Sequence, residues 1–295
     1  MAADFTQLLD DLAYAKTFYP SGKVTNFINT QASKIYLDIY KNRKEESNRL
    51  VTFWKYDLPL TIRKHHKVVL FSFCVFSIFF AIGFFTSHTD DSIARSVLGD
   101  RYVDMTQRNI DNGNPFGVYE YGNPVLSWLG IMINNMKAAI SDFVSGIFCG
   151  IPTFISSGSF GIEVGVFDQF ISSKGFGLDF WLVVFVHGTL EITAFIMSAT
   201  AGYVLGKSYL FPGTIKRIDS FKQGAKDGVK ILIGIMPVLA LAAFFEGLFT
   251  RLYNDVSFLT TTIVTLSAIF VVWYFIIYPV RLEKKLSLKL NEEEV

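Results

Sequence analysis

From Val68 to Ser87 the chain runs for twenty residues without a charge. At about 1.5 Å per residue, one helix of that length crosses the roughly 30 Å hydrocarbon core of a bilayer. Lipid offers no partner to backbone N–H and C=O groups, so such a run must satisfy them internally, as a helix does. Further apolar stretches cover 126–150, 151–175, 176–206, 231–249 and 258–280. The expected fold is therefore all-α, a polytopic membrane bundle of about six spans. Residues 151–175 read differently from the rest. Pro152, Ser156-Ser157-Gly158-Ser159 and Gly161 interrupt apolar sequence around Glu163 and Asp168, which predicts a broken or re-entrant third crossing.

The segments between the spans set the domain plan. Residues 1–66 form a helical region outside the bilayer, with Phe5, Leu8, Leu9 and Leu12 at helical spacing, a break at Pro20-Ser21-Gly22 and a second apolar pattern after it. The expectation is a cytoplasmic helical hairpin with Pro59 as an elbow, followed by the bundle over 67–281 and a tail over 282–295. Within 88–126, the residues Ile93, Val97, Tyr102, Met105 and Ile110 predict one helix capped by Asp91 or Ser92 and ended by the turn Asp111-Asn112-Gly113-Asn114-Pro115. Residues 207–230 read as a loop.

Charge orients the chain. Residues 1–67 carry eleven Lys/Arg against seven acids, 207–230 six against two, and 88–126 only three against six. Basic loops stay in the cytoplasm, so both termini and 207–230 are expected there, with 88–126 outside. The expected location is a membrane, crossed several times.

Ionisable groups inside spans cost roughly 2.5–3.5 kcal/mol each, so they mark a partner or a function. His187 and Glu191 are four apart and share a helix face, continued by the small residues Ala194, Ser198, Ala201 and Gly202. Measured from the outer face, His187 lies about 10 Å deep, Glu191 about 16 Å, Asn134 and Asn135 about 12–14 Å, and Glu246 within about 10 Å. These five residues are expected to form one intramembrane polar cluster. Gly146, Gly150, Gly202 and Gly206 are expected to mediate close helix packing. Three readings of the cluster stay open: hydrogen bonds that fix helix register, a proton or ion relay as in a transporter or channel, and a metal-assisted hydrolase. The metal ligands of such a hydrolase would be one imidazole and two carboxylates. No catalytic residue is assigned, because the chain holds no Walker loop, nucleophile elbow or HExxH.

The remaining composition narrows the field. A formal net charge of +1 selects no nucleic acid. Cys74 and Cys149 both fall in apolar segments, without CxxC spacing, so neither a disulfide framework nor a zinc knuckle is expected. No cofactor is expected. The acidic, amphipathic first twenty residues lack the apolar core of a signal peptide, leaving the first span as the insertion signal.

Several of these residues carry a family resemblance. Asn134-Asn135, the Gly146 and Gly150 pair, His187-Gly188-x-x-Glu191 and Glu246-Gly247 follow one another in the order, and on the helices, seen in the stage II sporulation protein M family. Leu98-Gly99-Asp100-Arg101-Tyr102-Val103, Met105-Thr106, Asn109-Ile110 and Pro115 resemble extracytoplasmic segments of longer members. The resemblance covers roughly residues 50–280. It implies a non-enzymatic, multi-spanning component of a cell-envelope complex. The sporulation member itself works beside peptidoglycan-degrading enzymes during engulfment. The implied partners are the lipid bilayer, envelope proteins and further copies of the chain.

Overall fold

The computed structural model describes residues 2–41, 48–90, 92–114, 117, 123–249 and 257–293, and among them every regular element is helical. Asp91 and Pro115, expected as a cap and a turn residue, lie outside the described residues. The chain divides into two compact units, Met1–Thr52 and Phe53–Val295.

The first unit holds α1 (Ala2–Phe18), α2 (Lys23–Lys41) and the short α3 (Arg49–Thr52). The turn at Pro20 is closed by the Tyr19 carbonyl, which accepts from Thr25 Oγ1 at 2.6 Å and from the Gly22 amide at 2.9 Å. Leu12, Ala15 and Ala32 supply the buried contact between α1 and α2.

In the second unit, a π-helical turn (Phe53–Asp57) leads into α4 (Leu58–Lys64) and the apolar α5 (His66–Thr89). Next come α6 (Ser92–Leu98) and α7 (Asp100–Asp111). The remaining helices are α8 (Pro124–Ser145), α9 (Ile151–Ile171), α10 (Gly177–Leu210), α11 (Arg217–Phe244), α12 (Ser257–Val271) and α13 (Tyr278–Glu293). Four runs are long and apolar enough to cross a membrane: His66–Thr89, Ile151–Leu210, Arg217–Leu248 and Phe258–Leu288. The second of these contains both α9 and α10, turned back on each other at Gly175, whose φ of 94° no helix interior adopts.

Helix α10 is the axis of the bundle. It spans 34 residues, about 51 Å, and its small face from Ala194 to Gly206 is buried by neighbours on several sides. Helix α8 runs parallel to it. Asn135 meets Glu191, Ser198 Oγ donates to the Ala139 carbonyl at 2.7 Å, and Gly146 lies against Gly202. Helix α5 crosses α10 in the opposite sense, with Thr200 Oγ1 bonded to Ser72 Oγ at 2.9 Å.

Three expectations need correction. First, Ile151–Ile171 is one unbroken helix where interruptions were expected. Pro152 sits in its first turn, where no intrahelical donor is needed. Its glycines serve close approach instead of breaking the helix. Gly83 of α5 meets the Ile162 carbonyl, and Gly161 and Gly165 meet the backbone of Phe76 and Phe80, so α5 and α9 touch main chain to main chain. Second, the single helix predicted across 93–110 is two, because Gly99 (φ 87°) turns the chain between α6 and α7. Asp90 Oδ1 accepts from the Ser92 amide at 2.8 Å at the start of α6. Third, most of the predicted 207–230 loop belongs to α11. Ser220, Gly224 and Gly228 at helical spacing lay this part on α10, with Gly224 against Ser208 and Gly228 against the Ala201 carbonyl.

The basic run before α5 is tied down by acids from distant helices. Lys64 and His65 both reach Asp227 of α11, at 2.7 and 2.9 Å, and Arg63 reaches Glu283 of α13 at 2.6 Å.

Candidate functional site

The polar residues come together between α8, the first half of α10 and the turn that ends α11. His187 and Glu191 project from adjacent turns of α10, and His187 is buried. Glu246 reaches them from the π-helical turn Phe245–Phe249 that ends α11. One wider turn re-aims a side chain relative to the α-helix before it, a device common at functional positions. The next residue fixes that turn, because any Cβ on Gly247 would lie 2.9 Å from the Trp128 backbone nitrogen on α8. Trp128 is held in turn by its Nε1, which donates to the Ala240 carbonyl at 3.3 Å.

One ligand-type atom from each of His187, Glu191 and Glu246 lies within 4.8 Å of the others. From α8, Asn135 Nδ2 donates to Glu191 Oε1 at 2.9 Å, with only 7% of Asn135 exposed. In a low-dielectric bundle, two carboxylates this close disfavour a pair of bare negative charges.

Asn134 does not join them. A helix rotates each successive side chain by about 100°, so neighbours cannot face the same point. Asn134 is exposed, and it meets Asn135 and Glu191 only as part of the lining of a cavity of about 260 Å³ between α8, α9 and α10. That cavity reaches Asn135 and Glu191 at one end and Asp142 and Ser156 at the other, with Glu163 on its rim. Asp142 is buried, and its Oδ1 has no hydrogen-bond partner among the described residues. Sequence reasoning placed Glu163 in the third crossing, but assigned neither it nor Asp142 to the site. Their shared cavity is a product of three-helix packing and leaves no mark in linear spacing.

Tyr102 of α7 was also unassigned. Its ring packs on Phe167 of α9 at 5.8 Å. Burial pushes its hydroxyl up to about 12, and the carboxylates of Glu246 and Glu163 add to the rise.

The four packing glycines pair across the turn between α8 and α9, which holds Gly146 and Gly150, and α10, which holds Gly202 and Gly206. A Cβ on Gly146 would overlap the Gly202 carbonyl, and one on Gly206 would lie 2.6 Å from the Gly150 nitrogen.

The family model described as Stage II sporulation protein M matches residues 72–251. The chain belongs to this family. The matched region begins within α5 and ends just past the Glu246 turn, so the family segment contains all four cluster residues and both glycine pairs. A second model, Domain of unknown function (DUF8413), matches residues 1–41, the part that holds α1 and α2. No curated protein and no solved structure matches the chain.

Proposed function

We propose that this member of the stage II sporulation protein M family is a non-enzymatic membrane component of a cell-envelope assembly, embedded in a bacterial inner membrane with both termini in the cytoplasm. The observation that supports assembly is an exposed polar edge midway along α8 and α9. Asn134 and Lys137 lie about 15–20 Å from the Pro124 end of α8, and Glu163 about 18 Å from the Ile151 end of α9. All three are exposed. Facing hydrocarbon at that depth, each charge would cost roughly 2.5–3.5 kcal/mol, so another protein surface is their fitting cover. A photo-crosslinking residue placed at Asn134 in living cells is expected to capture an envelope protein. Capture of lipid alone would end the assembly reading.

Orientation has its own check. In a background lacking Cys74 and Cys149, a cysteine at Asn112 should react with an impermeant reagent added outside intact cells, and one at Lys222 should not. The reverse pattern would invert the topology argued from charge.

The cavity from Glu191 to Asp142 favours one second reading, a proton path of the kind membrane carboxylates serve. Vesicles containing the protein and a pH-sensitive dye would then show a proton flux that Asp142→Asn removes. Vesicles as tight as protein-free ones would exclude it.

A further inference from the structure

The cluster fits a ligand more specific than a shared proton. Its donors are one imidazole nitrogen and two carboxylates, drawn from α10 and from the turn after α11. Donor atoms bound to a transition metal at about 2.1 Å sit roughly 3–4.2 Å apart. The observed limit of 4.8 Å therefore closes onto an ion with a side-chain adjustment of less than an ångström.

Charge makes the same selection. Two ionised carboxylates balance a divalent cation, which leaves a neutral unit in a bundle where net charge is costly. The donor set then excludes other ions. Calcium takes six to eight oxygens and magnesium prefers to keep its waters, whereas mixed imidazole and carboxylate ligation suits manganese, iron or zinc.

The support around the ligands is also built. Metal-binding carboxylates are held by outer hydrogen bonds that fix their orientation, and Asn135 supplies one to Glu191 at 2.9 Å. His187 is 96% buried by relative accessibility, being 4% exposed, so its ring has little freedom to turn away. Glu191 also borders the 260 Å³ cavity, which gives a fourth, non-protein ligand room to enter.

We propose that His187, Glu191 and Glu246 form an intramembrane binding site for a divalent first-row transition-metal ion, with Asn135 as the positioning residue for Glu191. The proposal is independent of the assembly reading and is tested without any partner.

The experiment uses the full chain, tag-free in detergent, stripped with a chelator and reloaded separately with Mn²⁺, Zn²⁺ or Co²⁺. Elemental analysis after removal of free ion should find about one ion per chain for at least one of them. The Co²⁺ form should show visible absorption of a nitrogen- and oxygen-ligated ion. Glu246→Gln, close to isosteric, should elute as wild type yet lose at least about tenfold in metal affinity, and Asn135→Ala about 10–100-fold. Wild-type protein that retains less than about a tenth of an ion per chain with every metal overturns the site. So does Glu246→Gln that binds as wild type does. Should Glu246→Gln fail to fold, His187→Gln replaces it, and the wild-type stoichiometry and Co²⁺ spectrum decide by themselves.

Discussion

Gly146→Ala is expected to lower the melting temperature of the bundle by roughly 10 °C. The added methyl would overlap the Gly202 carbonyl oxygen and lie 2.7 Å from the Gly202 carbonyl carbon and Cα. The obstacle is backbone on both sides, so no rotamer change relieves it. Helices α8 and α10 must separate. That is blocked as well, because Gly202 is packed in turn against Thr153 of α9, where a Cβ would be 2.7 Å from Oγ1. Overpacking of this kind costs about 3 kcal/mol at the upper end of its usual range, which corresponds to a fall of roughly 10 °C in melting temperature for a chain of this size. Gly146→Leu should leave no compact protein at all. Gly130→Ala is the matched control on the same helix, since nothing lies within 4 Å of its Cβ direction. A melt followed by size-exclusion in detergent reads all three. Gly146→Ala melting together with Gly130→Ala would refute the packing account.

Glu191→Leu comes second in expected size. The substitution leaves the buried Asn135 amide without its carboxylate acceptor, and such a loss costs roughly 1–3 kcal/mol. Glu191→Gln keeps an oxygen that can accept from Asn135, and should preserve the melt to within about 1 kcal/mol. The two variants thereby separate fold from function. A Gln variant that is as stable as wild type but has lost bound metal places the role of Glu191 in the ion. Equal destabilisation by Leu and Gln would mean that the Asn135 bond is not what Glu191 contributes.

Much of this architecture is legible in the sequence, for a simple reason. Membrane helices must be long and apolar, so α5, α11 and the core of α10 announce themselves by composition. The four-residue spacing of His187 and Glu191 shows their common face just as directly. What stays hidden depends on what small residues touch. Gly158, Gly161 and Gly165 look like helix breakers when read along the chain. In the fold they are the surface where α5 lies on α9, and only the identity of the neighbour distinguishes the two cases. The aim of Glu246 is hidden for another reason. It depends on a π-helical turn whose sequence, Phe245–Phe249, carries no sign of the wider winding. The helical start of α11 was obscured by its charges. Lys222, Lys226 and Lys230 resemble a solvated loop until Ser220, Gly224 and Gly228 are seen to line the opposite face. Asn134 and Asn135 show the limit of grouping by depth: adjacent residues share a level in the membrane but face different directions.

The parallel alignment of α8 with α10 would let the pair act as a lever. At one end stands the glycine contact, which allows no compression, and about 16 Å away along α10 stands the amide–carboxylate bond of Asn135 with Glu191. Two stiff rods pinned at a hard fulcrum convert a small change of tilt into opening or closing at the far end. Anything that grips the exposed edge of α8 near Asn134 and Lys137 pulls on the arm that carries Asn135. Occupancy of the buried cluster and the seating of a neighbour on that edge would then be two readings of one angle.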